Sequence, residues 1–171
     1  MPQKVKTADG HSVGLVHQEF PSFFKLQSTG RRGHYDIVVL APRFVQERTI
    51  KSLAKPKAGV SPAIRPFLCV VEVKLFYEGM SKNRASSIIQ DLKKLETTSD
   101  FSSIVAFIHF QRYLRANEKQ WARYWPKIEG MAKSCTNVLS TFVVYREYAN
   151  CTVDVYQFRP GRTNHPPVVP R

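Results

Sequence analysis

The stretch Phe67-Leu68-Cys69-Val70-Val71-Glu72-Val73-Lys74-Leu75-Phe76 decides the fold, because an apolar run of this length predicts a strand buried in a sheet. Successive side chains of a strand point to opposite faces, so Glu72 and Lys74 share one face. Two charges within a core strand are costly unless they pair or bind a ligand. The stretch therefore predicts either a structural Glu–Lys pair or part of a functional site.

Length and composition predict one globular domain. The chain has 171 residues, of which 43% are hydrophobic, which is enough for one domain with a full core. We expect that domain to span residues 1–159. Residues 160–171 contain four prolines, which favours an extended tail.

The charge of the chain is strongly unbalanced. It has 26 Lys and Arg residues against 13 Asp and Glu residues, a formal net charge of +13. An excess of this size indicates a polyanionic partner, most often nucleic acid, although a basic surface can also be merely solvated. Residues 41–66 form a basic insertion between two strands, and a turn with two arginines precedes the first of them. The candidate phosphate contacts in these segments are Arg31, Arg32, Arg43, Arg48, Lys51, Lys55 and Lys57.

The three cysteines show no pairing pattern, since Cys69, Cys135 and Cys151 are scattered and odd in number. This favours reduced thiols over a disulfide framework. No signal peptide and no apolar stretch of membrane-spanning length is visible. We therefore expect a cytoplasmic protein that does not bind a membrane.

The hydrophobic pattern predicts alternating helices and strands, in the order α-β-β-α-β-α-β-β. This order predicts an α/β fold with a mixed central sheet flanked by helices. A helix between the second and third strands further predicts that these two strands are parallel neighbours. The predicted helices cover residues 11–20, 82–96 and 115–133, and the predicted strands cover 34–40, 67–76, 103–110, 138–146 and 152–158.

A second carboxylate, Asp36, begins the apolar run that ends at Leu40. Carboxylate oxygens are hard ligands of the kind that Mg²⁺ prefers, and a nearby lysine can orient the attacking water or stabilise developing charge. Asp36 and Glu72 are therefore candidate metal ligands, and Lys74 is a candidate catalytic residue beside them. The similar tripeptide Asp91-Leu92-Lys93 is rejected as a motif, because residues i and i+2 of a helix do not share a face.

With these residues in place, the chain resembles the PD-(D/E)xK, or restriction-endonuclease-like, nuclease superfamily. Residues 11–110 match its core order of helix, strand, strand, helix, strand, with Asp36 on the first motif strand and Glu72 and Lys74 on the next. The resemblance implies Mg²⁺ as cofactor, with Mn²⁺ able to substitute, and hydrolysis of DNA phosphodiester bonds.

The resemblance also assigns roles to further residues. It implies that Glu19, at the end of the predicted first helix, is a third metal ligand. It makes Gln90, on the helix after the motif, a possible accessory residue. The chain departs from the family pattern at Tyr35, where a proline is expected, and at Lys94, where some branches have a tyrosine. His34, two positions before Asp36, is a second possible accessory residue because it could share the face of Asp36.

The sequence thus favours a Mg²⁺-dependent endonuclease, acting alone, as a homodimer, or as the nuclease subunit of a larger DNA-processing assembly. Two alternatives stay open. One is a non-catalytic nucleic-acid-binding protein on the same fold, and the other is a scaffold whose basic surface meets an acidic protein. The sequence does not separate DNA from RNA as the partner.

Overall fold

The computed structural model describes residues 3–25, 32–54, 65–77, 79–113, 118–147 and 151–160. The strands are β1 (Lys4–Lys6), β2 (Ser12–Gly14), β3 (Val16–Lys25), β4 (Arg32–Leu40), β5 (Phe67–Phe76), β6 (Ser102–Tyr113), β7 (Leu139–Arg146) and β8 (Thr152–Phe158). The helices are α1 (Pro42–Gln46), α2 (Ile50–Ala54), α3 (Lys82–Thr98) and α4 (Glu118–Ser134), with a 3-10 turn at Ser99–Phe101.

Among the described residues, six strands form one sheet in the order β3-β4-β5-β6-β7-β8, and β1 pairs with β2 in a small second sheet. The β3–β4, β4–β5 and β7–β8 pairs are antiparallel, whereas β6–β7 is parallel. The predicted α/β class with a mixed sheet is therefore confirmed. The finer prediction of parallel β5 and β6 stays a prediction, although the two strands are neighbours.

The predicted helix over residues 11–20 is wrong, and with it the leading helix of the predicted element order. This segment forms β2 and the first half of β3. Val13, Leu15 and Phe20 are buried, but Val16 is 58% exposed, so the apolar pattern follows two strands rather than one helical face. Pro21 does not end the element, because β3 is an edge strand of the sheet, where a missing N–H is tolerated.

The chain divides into two compact units. The first comprises Met1–Val71 with Thr98–Ile104. Its core contains the buried Phe20 and Tyr35 rings, whose centroids lie 5.8 and 5.6 Å from that of Phe67. The buried Tyr35 hydroxyl shares a hydrogen bond of 2.8 Å with Thr98 Oγ1, so the polar end of this ring is satisfied.

The second unit comprises Glu72–Thr97 with Val105–Arg171. Its helix α3 buries Ile88, Leu92 and Leu95 completely, at the spacing of one helical face. On α4, the rings of the buried Trp121 and the half-buried Trp125 stack with centroids 4.7 Å apart. The helix continues through Pro126 to Ser134.

The remaining predictions on elements have mixed outcomes. The hairpin of β7 and β8 is antiparallel as predicted, and the basic insertion contains the short helices α1 and α2. Residues 55–64, the turn at 148–150 and the tail at 161–171 lie outside the described residues. No helix in the part of the chain that the structure describes is long and apolar enough to span a membrane.

Candidate functional site

Glu72 is a buried carboxylate with a direct cationic partner. It lies in the second half of β5, and only 3% of the residue is exposed. Lys94 Nζ, on α3, donates a hydrogen bond of 2.7 Å to Glu72 Oε2. Lys74 Nζ, two residues further along β5, lies 4.0 Å from Glu72 Oε1. This contact agrees with the prediction that Glu72 and Lys74 lie on the same face of a strand.

A second carboxylate, Asp91, also contacts both lysines. Asp91 Oδ2 lies 3.0 Å from Lys74 Nζ, and Asp91 Oδ1 lies 3.6 Å from Lys94 Nζ. We call Glu72, Lys74, Asp91 and Lys94 the ionic cluster. All four side chains are largely buried, with exposed fractions of 4%, 28%, 16% and 9%.

The cluster contains two negative and two positive groups, so its formal charge is zero. Each lysine contacts both carboxylates, which offsets part of the cost of removing four charges from water. Such an arrangement depends on all its members, since removal of one partner leaves a buried charge uncompensated. The cluster can therefore hold Glu72 in place, and any ligand of Glu72 must compete with Lys94.

Sequence reasoning missed Asp91 and Lys94 as members of this site. The rejection of Asp91-Leu92-Lys93 as a motif is consistent with the exposed position of Lys93. The signal that could have identified Asp91 is its helical position, three residues after Ile88 and four before Leu95, both fully buried. A charge on the buried face of a helix needs partners, and Lys74 and Lys94 are partners of Asp91.

The candidate ligands Glu19 and Asp36 lie in the first unit, on neighbouring strands. In the β3–β4 ladder, Gln18 pairs with Ile37 and Phe20 pairs with Tyr35. Glu19 and Asp36 are the residues between these pairs, so they occupy the same level of the two strands. Asp36 is half-buried and Glu19 is exposed.

Glu19 has an unusual backbone. Its φ of 49° lies in the left-handed region, which is uncommon for any residue with a Cβ and costs roughly 1–2 kcal/mol. The position at the end of a helix that the hydrophobic pattern predicted for Glu19 is wrong, since the residue lies within strand β3. Strained residues of this kind cluster at functional sites, which keeps Glu19 of interest as a candidate ligand.

The accessory and phosphate-contact candidates lie on several different elements, and some lie outside the described residues. Gln90 on α3 and His34 on β4 are exposed. Arg43 donates a hydrogen bond of 2.9 Å to Glu47, and the Arg48 guanidinium lies 5.3 Å from the centre of the Phe44 ring. Lys51 is exposed on α2 and Arg32 begins β4, while Arg31, Lys55 and Lys57 lie outside the described residues.

The ionic cluster offers Mg²⁺ oxygen donors of the preferred type, but only two carboxylates. Glu72 and Asp91 supply carboxylate oxygens, the ligands that this ion prefers. Among the residues that the structure describes, however, no three of His, Cys, Asp or Glu are grouped so that they could hold a metal ion. A metal at Glu72 and Asp91 would need water or substrate oxygens for its other positions, as Mg²⁺ sites commonly have.

Comparison with known proteins does not extend these findings, since no family model, no curated protein and no solved structure matches this chain. Its fold and its ionic cluster define it as an α/β protein with a mixed six-stranded sheet and a buried group of paired charges.

Proposed function

We propose that the protein is a Mg²⁺-dependent endonuclease that hydrolyses DNA phosphodiester bonds. The observation that supports this most directly is the ionic cluster, in which a carboxylate and an ammonium group of one strand are held together and joined by a second carboxylate. The net charge of +13 supports a polyanionic substrate.

In this proposal Glu72 and Asp91 of the second unit would hold the metal ion, which would supply a water molecule of lowered pKa. Lys74 orients that water or neutralises charge that develops on the phosphate. Lys94 Nζ lies 2.7 Å from Glu72 Oε2, so this contact would have to be given up for the Glu72 carboxylate to hold a metal ion. Asp36 and Glu19 belong to the proposal on sequence grounds alone, as further candidate ligands.

A cleavage assay tests this proposal. Supercoiled, linear and single-stranded DNA are incubated with the protein and Mg²⁺ or Mn²⁺, in parallel with Glu72→Gln, Lys74→Ala and Asp36→Ala. We expect the wild type to cleave and the Glu72 and Lys74 variants to lose most of the activity. The exposed neighbour Lys93→Ala is the matched control and should cleave normally. Cleavage that persists in Glu72→Gln and Lys74→Ala would exclude the assigned site.

A second candidate function is nucleic-acid binding without catalysis. It is favoured by one specific observation, the contact of 2.7 Å between Lys94 and Glu72, which balances the carboxylate without any metal. This candidate requires salt-dependent binding of DNA or RNA, no cleavage with either ion, and unchanged binding in Glu72→Gln.

A further inference from the structure

The second unit contains a cavity whose lining includes no residue of the ionic cluster and which has no role in the proposed cleavage reaction. Its volume is about 260 Å³, which is just below the range of roughly 300–1,000 Å³ of ligand pockets. Such a volume suits one small group. The lining comes from β5, β6 and β7, with the chain after β5, and includes Leu75, Tyr77, Phe110, Arg112, Val143 and Tyr145. We call this the aromatic cavity.

The aromatic cavity lies on the sheet face that α4 does not cover. His109 and Phe142 of β6 and β7 are fully buried against Trp121 and Trp125 of α4. The next residue on each of these strands, Phe110 and Val143, points to the other face, where the two are register partners. On that face Tyr77 is 68% exposed, Leu75 51% and Phe110 44%.

One cation is fixed at the edge of the cavity. The Arg112 guanidinium donates from Nε and Nη2 to Glu147 Oε2, at 2.9 and 2.6 Å. Arg112 and Tyr145 are register partners, so a guanidinium plane and a phenol ring lie side by side on this face. Guanidinium planes and aromatic rings are the surfaces on which nucleic-acid bases stack.

We propose that the aromatic cavity binds one unpaired base of a nucleic-acid strand, which stacks against Tyr77 and Phe110. This inference rests on the proposed function, since it presumes that the chain binds nucleic acid, and it adds single-stranded or locally unpaired DNA or RNA as the preferred ligand. The charge of +13 over the whole chain favours a polyanionic partner and disfavours a second copy of the same basic chain.

Binding of labelled oligonucleotides in the presence of EDTA tests the proposal without cleavage. The probes are a short oligothymidylate, an abasic strand of the same length, and a blunt duplex. We expect Tyr77→Ala and Phe110→Ala to weaken oligothymidylate binding roughly 5- to 100-fold, as loss of one stacked base does. Tyr77→Phe keeps the ring and should bind like the wild type.

Two further results are required. Binding of the abasic strand and of the duplex should not change in Tyr77→Ala. The dependence of oligothymidylate affinity on salt should keep its slope, because the variant removes no phosphate contact. Tyr124→Ala, on the helix that covers the opposite sheet face, is the matched aromatic control and should leave all three affinities unchanged. Thermal unfolding checks that each variant is folded.

The possible outcomes separate the two proposals. Unchanged oligothymidylate binding in both alanine variants, or equal losses on the abasic strand, overturns the base site and leaves the proposed function standing. Sedimentation that shows a wild-type dimer lost in Phe110→Ala, with oligonucleotide affinity unchanged, identifies this face as a self-interface and also overturns the base site. A wild type that binds none of the probes contradicts the proposed function itself.

Discussion

Glu72 and His109 are both buried polar side chains on strands of the second unit, but their surroundings stabilise opposite states. Glu72 forms an ion pair with Lys94, in which Glu72 Oε2 and Lys94 Nζ are 2.7 Å apart. His109 has no exposed surface and lies among the rings of Phe76, Phe107, Trp121 and Phe142, at centroid distances of 5.2 to 6.5 Å. Burial lowers the pKa of His109 to about 4, and the Lys74 ammonium acts in the same direction.

The difference shows that the charge state of a polar residue in an apolar strand depends on the side chains that neighbouring elements pack against it. For Glu72, α3 supplies a cation and the charge is kept. For His109, the surrounding side chains are aromatic and the imidazole is kept neutral at pH 7. The two regions therefore respond differently to substitution and to pH, and these responses can be measured.

The largest expected effect is that of Lys94→Ala. It removes the ammonium group that lies 2.7 Å from the buried Glu72 carboxylate, so we expect the free energy of unfolding at pH 7 to fall by about 3–5 kcal/mol. Urea denaturation measures this loss. Lys93→Ala, on the exposed side of α3, should cost well under 1 kcal/mol. An equal, small effect of both substitutions would mean that Glu72 does not depend on Lys94.

A double variant separates the effect of charge from the effect of packing at Glu72 and Lys94. Replacing both partners, in Glu72→Gln with Lys94→Met, removes both charges from the core. We expect this double variant to be more stable than Lys94→Ala alone, because no charge remains unpaired. A double variant that is as unstable as the single one would indicate that the loss comes from packing and not from charge.

His109 should make stability depend on pH. Its pKa is about 4 in the folded chain, whereas the ordinary histidine pKa of 6.5 applies to the unfolded chain, so the unfolded state binds more protons between these values. Stability is therefore fully present above pH 6.5 and falls as the pH is lowered toward 4, by up to about 3 kcal/mol. Urea titrations at intervals across this range should show the slope in the wild type and a smaller slope in His109→Phe. An identical slope in the variant would contradict a neutral, buried His109.

The smallest expected effect is at Glu19. Glycine adopts the left-handed region without the Cβ penalty, so Glu19→Gly should raise the free energy of unfolding by up to about 1 kcal/mol. Glu19→Gln keeps the strain and should not be stabilised. If Glu19 is a metal ligand, both variants lose cleavage although only one gains stability. Destabilisation by Glu19→Gly would indicate that the backbone of Glu19 is not strained.

The sequence predicts much of this fold because most elements have an unambiguous pattern. Glu72 lies in an apolar run too short for a core helix and too rich in valine for a loop, and the face of α3 repeats at helical spacing. The prediction of a helix over residues 11–20 fails because the apolar residues fit either element over so short a window, and Pro21 resembles a helix end. The strands of this segment depend on pairing with distant residues, such as Phe20 with Tyr35, which local pattern does not encode.

The candidate site is predictable only in part for a related reason. Glu72 and Lys74 are close in sequence, and a strand places them together. Asp91 and Lys94 are 17 or more residues away from Lys74 in the chain, and only the packing of α3 against β5 brings them to it. The identity of a charged partner on another element requires the structure.

Calorimetric titration of the protein with Mg²⁺ and Mn²⁺ at pH 7 tests the central claim most directly, because it measures whether the ionic cluster binds a metal ion. We expect the wild type to bind the ion, Glu72→Gln to lose that binding, and Lys94→Gln, where folded, to bind more tightly because the competing cation is gone. Binding of equal affinity in the wild type and in Glu72→Gln, or no binding in either the wild type or Lys94→Gln, would contradict the assignment of this cluster as a metal site.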